Sequence, residues 1–391
     1  MRTFGVRSSR LLRVIASSAL AGGIGLQPVA AFAGPAPAPA GEVAPAPAAA
    51  TGWTAPHRID SAADCQAVAA GLDATGHAHV ATECGGRIRY STNLSGSWRT
   101  TVFPKVTGRL DTSPAVAFTT TTVYVAWTRV ADTGGCGGGL SDTGVYIAHH
   151  SLSGGAWSAA RRIGTVGDGL YAFRLDAGTL YFAVVGTDGH DYLETLTGSS
   201  LKRVPVPAAT GAVALRIGSD GKPRLAFQAA DGVRVATYSS AAFHISRITG
   251  SKAQDYEPVL ALDGSNRAHV LFTRSPYGTV GCALRDPNPD DGTYYSTNRT
   301  GSWHTARIST HVMASALAVN SSTGRLHALV ASMSVLHYQT ALPGGAWSDV
   351  ALVNQEVSSP VLLLRQSTGK LVVVYLHGSG SATGVYLLSK G

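Results

Sequence analysis

The chain has 391 residues, of which 14% are charged, and its formal net charge is +8. Because no basic cluster is interleaved with aromatic residues, we expect no nucleic-acid partner despite this positive charge. The 46 glycines are typical of a protein with many turns and closely packed strands.

The N-terminal segment has the features of a secretory leader. Four arginines come before or at the start of an apolar run at residues 14–26, and Ala31-Phe32-Ala33 forms an A-x-A cleavage site. We therefore predict a signal peptide over residues 1–33, cleaved after Ala33, and a secreted, extracellular product. Residues 34–50 are mostly proline and alanine, which indicates a semi-rigid linker. The apolar run is too short to cross a bilayer comfortably, and we expect no membrane span.

A repeated nine-residue motif organises the rest of the chain. Residues 90–98 read YSTNLSGSW, and residues 295–303 read YSTNRTGSW. Each copy has a short β-rich run, a polar turn and a Gly-x-Trp start to a second run, which predicts a hairpin. Equivalent positions recur about every 44 residues, with roughly 15 additional residues in two intervals, a spacing typical of propeller blades. These positions are Trp53, Trp98, Trp157, Leu201, Phe243, Trp303 and Trp347.

The two ends of the repeat array complement each other. Seven pairs of apolar runs precede the repeat positions, but the last unit stops without its Gly-x-Trp strand. Residues 52–59 provide such a strand with no unit before it. We therefore predict an all-β fold over residues 51–391. It is a seven-bladed β-propeller of four-stranded antiparallel blades, closed by an N-terminal strand that joins the C-terminal blade.

The repeated turn resembles a degenerate Asp-box, the S-x-D-x-G-x-x-W turn of sialidase-like propellers. Asn93 and Asn298 stand where that family has aspartate, and the resemblance extends over all seven units. It implies the propeller fold. Sialidases also use an arginine triad, an aspartate acid, a Tyr/Glu nucleophile pair and an early Arg-Ile-Pro. Here the nearest match is Arg58-Ile59-Asp60, and neither the triad nor the Tyr/Glu pair can be assigned, so we predict no catalytic residue.

Four cysteines can oxidise after secretion, in any of three pairings. The blade register puts Cys65 before the first strand of blade 1. It puts Cys84, Cys136 and Cys282 in connections between second and third strands, on the same face of the ring. We favour disulfides Cys65–Cys84 and Cys136–Cys282, the alternative being that all four are unpaired.

Two insertions in equivalent connections favour a ligand site on this face. Residues 129–144 expand blade 2 and residues 274–292 expand blade 5, and each begins with Thr-Arg. Loops on a rigid scaffold commonly carry binding residues. One interpretation makes Arg129 and Arg274 anion clamps; the other is that they only cap strand ends.

Further candidate ligand-binding residues lie at the same edge. Asp188 and His190 belong to the short connection of blade 3, and Asp255, Tyr256 and Glu257 come at the start of blade 5. The segment 286–291 spaces oxygen atoms in a way that Ca²⁺ accepts, but two prolines and the lack of a final glutamate favour a turn without metal. We therefore expect no cofactor.

The histidines favour structural interpretations. His79, His269 and His327 recur at one position of the repeat, so we predict a structural hydrogen bond for them.

We expect a monomeric, secreted, non-enzymatic binding propeller for a carbohydrate or an extracellular protein. The alternative is a sialidase-like glycoside hydrolase, which needs two carboxyl groups about 5–10 Å apart. Its candidate carboxylates are Asp111, Asp168, Asp255 and Glu257.

Overall fold

The computed structural model confirms the seven-bladed propeller. It describes residues 50–132, 144–250, 254–275, 289–332, 334–355, 357–377 and 383–391. Within them, 28 strands form seven four-stranded antiparallel sheets. No helix in these ranges is long and apolar enough to cross a membrane.

Each blade is an up-and-down meander of four strands, and the first strands of successive blades contact one another around the centre. The strands are β1 (His57–Asp60); in blade 1, β2 (Cys65–Leu72), β3 (Ala78–Cys84), β4 (Arg87–Thr92) and β5 (Arg99–Val102); in blade 2, β6 (Arg109–Phe118), β7 (Thr122–Ala131), β8 (Gly144–Ser151) and β9 (Arg161–Ile163); in blade 3, β10 (Gly169–Asp176), β11 (Thr179–Val185), β12 (Asp191–Thr197) and β13 (Ser200–Pro205); in blade 4, β14 (Ala209–Ile217), β15 (Pro223–Ala229), β16 (Gly232–Ser239) and β17 (Ala242–Arg247); in blade 5, β18 (Gln254–Leu262), β19 (Ala268–Ser275), β20 (Gly292–Thr297) and β21 (His304–Ser309); in blade 6, β22 (Met313–Val319), β23 (Leu326–Ala331), β24 (Leu336–Ala341) and β25 (Ser348–Val353); in blade 7, β26 (Val357–Leu364), β27 (Leu371–His377) and β28 (Gly384–Lys390).

Burial decreases from the second strand of a blade to the fourth. The second strands β3, β23 and β27 are buried along their whole length, because sheets pack against both of their faces. Strand β27 is accordingly an almost continuous apolar run rather than an alternating one. The outermost strand β5 is exposed at every residue. The apolar core therefore lies between neighbouring blades.

The N-terminal strand closes the ring as predicted. Strand β1 pairs with β28, and His57 stands opposite Leu387. Trp53 forms a bridge with Lys390 and packs edge-on against Tyr338 of blade 6, with ring centroids 5.1 Å apart. The first and last segments of the chain thus share one sheet, which removes the exposed edge that an open array would present.

The recurring histidines have the structural role predicted for them, with a different main partner. Each one is buried and hydrogen-bonds through Nδ1 to a tyrosine hydroxyl of the third strand, at 2.5–2.6 Å, rather than only to a turn. The same tyrosines receive a tryptophan from the next blade, edge-on. The three sets are His79, Tyr90 and Trp157; His269, Tyr295 and Trp347; and His327, Tyr338 and Trp53.

A β-bulge interrupts the first strand of every blade. The pairing register between first and second strands shifts near the channel in all seven sheets. In four blades the bulge places a residue other than glycine in the left-handed region, namely Ser113, Ala212, Glu257 and Ser359, with φ of 47–52°. Bulges of this kind redirect a side chain away from the strand's regular alternation.

Candidate functional site

The candidate site lies at one edge of the ring, which we call the loop face. It carries the connections between second and third strands and those between successive blades. The opposite edge, which we call the turn face, carries the turns between first and second and between third and fourth strands. All residues selected from the sequence as ligand-binding lie on the loop face.

A disulfide joins Cys65 to Cys84 on the loop face of blade 1, as predicted. The two cysteines are opposite each other at the first and last residues of paired strands β2 and β3. Cys136 and Cys282, together with most of the two inserted loops, lie outside the described residues.

Arg129 and Arg274 lie inside strands β7 and β19 rather than in loops, and each forms a two-pronged ion pair. Arg129 donates from Nε and Nη2 to both oxygens of Asp111, at 2.6 and 2.8 Å. Arg274 does the same to Asp255, at 2.7 and 3.0 Å. The carboxylate hydrogen bonds raise the pKa of both arginines above its usual range, despite the opposing effect of burial.

An aromatic side chain covers each of these guanidinium groups. Arg129 stacks over Tyr146 at 4.4 Å and Arg274 over Tyr294 at 4.2 Å. The same Asp–Arg–Tyr arrangement thus occurs in blades 2 and 5. It uses both oxygens of each carboxylate and the Nε and Nη2 groups of each guanidinium, which favours the interpretation of these arginines as strand-end caps.

In blade 3 the predicted residues Asp188 and His190 lie in an exposed turn. Asp188 accepts a hydrogen bond from the backbone N–H of His190 at 3.0 Å and another from the hydroxyl of Tyr192. Arg203 stacks on the ring of Tyr192, 3.7 Å from its centroid. The turn is therefore anchored to the blade through the tyrosine.

The sequence singled out Asp168 as a candidate carboxylate but not the buried cluster that it forms with Glu194 and Arg203 below this turn. Arg203 donates from Nη1 to Asp168 at 2.7 Å and to Glu194 at 3.0 Å. Burial, and then the charge of Asp168, raise the pKa of Glu194 to about 7. No local motif marks this cluster, because its members come from a connection and two strands.

Glu83 is a second buried carboxyl group that the sequence did not single out. It lies at the loop-face end of β3, only 4% exposed, and accepts a hydrogen bond from the backbone of Gly86 at 2.8 Å. Burial raises its pKa to about 7, and the nearby charge of Asp111 adds to the shift.

Glu257 differs from the other acidic residues of this face. Its backbone has φ of 52° at the bulge of β18, and its side chain is exposed whereas that of Asp255 is buried. It makes no hydrogen bond or ion pair with any residue that the structure describes. Protein atoms still surround the carboxyl group closely enough that desolvation raises its pKa. This combination is expected of a group at the mouth of a narrow channel.

Tyr256 lies beside this carboxyl group. Burial raises the pKa of Tyr256 to about 12, and the charges of Glu257 and Asp291 contribute. Tyr256 and Glu257 are consecutive residues of β18, and Glu257 has no arginine partner among the described residues. We call this pair the channel-mouth site.

Large apolar side chains are also exposed on the loop face. Val106, Val166 and Val312 lie in connections between blades, and Met313 begins β22, with exposures of 36–44%. They lie in or beside the connections of different blades, and single exposed apolar side chains of this kind are normal on protein surfaces. Across the described residues, no group of three or more His, Cys, Asp or Glu side chains is placed to hold a metal ion.

No protein-family model matches the sequence, and no curated protein matches it either. The fold, however, is similar to those of many solved structures. An α-L-arabinofuranosidase from Fusarium graminearum has a TM-score of 0.54 at 11% identity, over 86% of this chain and 97% of the other. The polysaccharide lyase Uly1 has a TM-score of 0.53 at 12% identity, over 84% and 90%. The α-L-arabinanase of Penicillium chrysogenum, complexed with arabinobiose, has a TM-score of 0.52 at 11% identity, over 86% and 98%.

These three structures share the propeller fold with this chain across nearly their whole length. At 11–12% identity the likeness concerns the fold alone, since one fold serves many unrelated sites. It agrees at the level of fold with the propeller inferred from the repeated turn.

Proposed function

We propose that this protein is a secreted, non-enzymatic binding propeller whose loop face holds a carbohydrate or an extracellular protein. The observation that carries the proposal is the state of Glu257, an exposed carboxylate on a left-handed backbone with no described partner. Together with Tyr256, the residue before it, Glu257 offers a hydrogen-bond acceptor and an aromatic side chain. Binding sites commonly combine a few such polar groups with aromatic side chains.

The remaining carboxylates support binding rather than hydrolysis. Asp111, Asp168 and Asp255 are each held by an arginine in an ion pair of 2.6–2.7 Å. Glycoside hydrolysis by its usual route needs two carboxyl groups on either side of the scissile bond. Of the four carboxylates considered for that chemistry, Glu257 alone has no arginine partner among the described residues.

A serine substitution tests the channel-mouth site without changing the bulge. Ser113 and Ser359 occupy the equivalent left-handed position in blades 2 and 7, so Glu257→Ser keeps a residue type that this backbone accepts. Ligands would be sought with a glycan array and by pull-down from extracellular fluid, using the mature protein. We expect Glu257→Ser to weaken retention of the ligand about tenfold, the equivalent of roughly 1.4 kcal/mol.

The matched control is Ser113→Ala in blade 2, at the equivalent left-handed position, which alanine accepts at Ala212 of blade 4. It should leave both binding and the urea midpoint unchanged. Equal loss of binding in the two variants would point to a general effect on the channel. If no glycan or protein is retained and the protein instead turns over a glycoside, the binding proposal fails.

Glycoside hydrolysis is the second candidate because one observation favours it. Desolvation by the surrounding protein atoms raises the pKa of Glu257, as a general acid requires, and two of the similar structures are glycosidases by name. This alternative expects hydrolysis of fluorogenic glycosides that Glu257→Gln abolishes. Absence of turnover over a broad substrate panel would contradict it.

The organisation of the chain belongs to the same proposal. We expect secretion to remove residues 1–33, leave 34–50 as a linker and release a monomeric propeller over 51–391. N-terminal sequencing of the secreted product should begin at Gly34, and light scattering should give the monomer mass.

The sialidase-like turn is part of the proposal as well. Asn93 Oδ1 accepts the backbone N–H of Ala78 at 2.8 Å, and Asn298 Oδ1 that of Ala268 at 3.1 Å. These bonds support a degenerate Asp-box in which asparagine fastens the third-to-fourth strand turn to the second strand. Asn93→Ala should therefore lower stability through a lost side-chain–backbone bond.

A further inference from the structure

A polar cavity of about 420 Å³ lies on the turn face, between blades 5 and 6. In blade 5 and in blade 6, its walls come from the turn between the first and second strands and from the turn between the third and fourth strands. Arg267, His269 and Arg299 line one side, and Ser321 and Pro343 the other. The cavity is at the opposite edge of the ring from Glu257, so it is separate from the channel-mouth site.

Positive charge dominates the blade 5 side of the cavity. Arg267 pairs with Asp263 at 2.8 Å, which neutralises one guanidinium group. Arg299 is exposed and forms no ion pair with any described residue, so its charge is uncompensated. Burial lowers the pKa of His269, the carboxylate of Asp263 opposes that shift, and the charges of Arg267 and Arg299 lower the pKa further.

His269 presents a buried polar atom to this cavity. The side chain is about 1% exposed, and its Nδ1 is engaged with the hydroxyl of Tyr295 at 2.6 Å. Its Nε2 is buried and has no partner within hydrogen-bond distance among the described residues; the nearest acceptor is the carboxylate of Asp263, 3.6 Å away. A buried polar atom in this condition is uncommon in folded proteins, and a bound ligand is one way to satisfy it.

Blade 1 provides an internal comparison with nearly the same turns. Residues 73–79 read DATGHAH where residues 263–269 read DGSNRAH, and residues 93–98 read NLSGSW where residues 298–303 read NRTGSW. The two arginines of blade 5 thus correspond to His77 and Leu94. In blade 1 the equivalent His79 Nε2 reaches Asp73 at 3.4 Å. The turn itself therefore does not require arginine at either position.

We propose that the cavity between blades 5 and 6 binds an oxyanion, a sulfate, phosphate or carboxylate group, either free or carried by an acidic saccharide. Arg299 would supply the charge and the Nε2–H of His269 a buried donor, while the ion pair with Asp263 fixes Arg267 at the wall. Guanidinium groups match the geometry of such anions, and charge-assisted hydrogen bonds are the stronger ones.

Calorimetric titration of the mature protein at low ionic strength tests this proposal. The probes are sodium sulfate, sodium phosphate and a sulfated chondroitin tetrasaccharide with its desulfated counterpart. We expect sulfated probes to bind and Arg299→Leu, which installs the blade 1 residue, to weaken binding at least tenfold. Binding should also shift the Nε2 resonance of His269 in long-range ¹H–¹⁵N spectra.

The matched control is Arg99→Leu, which removes the same charge from an exposed position of blade 1. Tighter binding of the sulfated saccharide than of sulfate identifies a saccharide ligand, and equal binding a free anion; both support the proposal. Absence of binding by every probe overturns it, and so does an Arg299→Leu variant that binds as tightly as Arg99→Leu. Glu257→Ser, on the other face, should leave this binding unchanged.

Discussion

The ion pair between Arg274 and Asp255 is expected to stabilise the fold rather than serve a ligand. Asp255→Asn removes the charge but keeps the shape of the side chain. It leaves the guanidinium of Arg274, whose side chain is 18% exposed, without its counterion. Breaking a buried pair by removing one partner costs roughly 3–5 kcal/mol. Because Arg274 is partly exposed, we expect about 3 kcal/mol.

The decisive measurement is a double-mutant cycle. Arg274→Met leaves Asp255 buried without a partner and should cost about as much, whereas the double variant lacks both charges. Replacing both members of a buried pair is often nearly neutral, so the double variant should cost far less than the sum of the single ones. Urea unfolding would give the three free energies.

The equivalent pair in blade 2 replicates the experiment inside the same molecule. Arg129 and Asp111 are only 10% and 3% exposed in their side chains, so their coupling should be at least as large. Additivity of the single variants within about 0.5 kcal/mol would refute the reasoning. If Arg274→Met has a small effect on stability but abolishes ligand binding, the interpretation of Arg274 as an anion clamp would be correct after all.

The remaining predictions concern ring closure, the disulfide and pH. Trp53→Ala should lower the free energy of unfolding by about 3–5 kcal/mol, because Trp53 is 6% exposed. Trp98→Ala, at the equivalent but only half-buried position of blade 1, should lower the free energy of unfolding by less. Equal urea midpoints for the two variants would contradict a special contribution of Trp53 to ring closure. Reducing the Cys65–Cys84 bond, which spans 19 residues, should cost about 2–4 kcal/mol, measured with and without reductant. The raised pKa of Glu83, about 7, means that between about pH 4.5 and 7 the folded state keeps a proton that the unfolded state releases. The contribution of Glu83 to stability should therefore fall as pH rises through this window. Glu194, whose pKa is also raised to about 7, contributes in the same direction, so Glu83→Gln should make the slope shallower without removing it. An unchanged slope would contradict the prediction for Glu83.

The sequence by itself determined the architecture. Strand alternation, turn chemistry and the position of one aromatic residue are local properties that repeat every 44 or so residues, so they could be counted without coordinates. The missing final strand and the unattached segment around Trp53 specified the closure. The pairing of Cys65 with Cys84 followed from the same register, since one hairpin brings both to one edge.

The state of each candidate residue was decided only by the tertiary structure. Asp255 and Arg274 are 19 residues apart and became partners through strand pairing, which turned a proposed anion clamp into an ion pair. The exposure of Glu257 depends on the bulge in β18. The sequence shows only that a proline follows Glu257, and this proline does not specify the direction of the side chain. The cavity on the turn face joins residues of two blades. Burial, charge pairing and cavities depend on which blades meet, and a periodic pattern within one blade does not encode that contact.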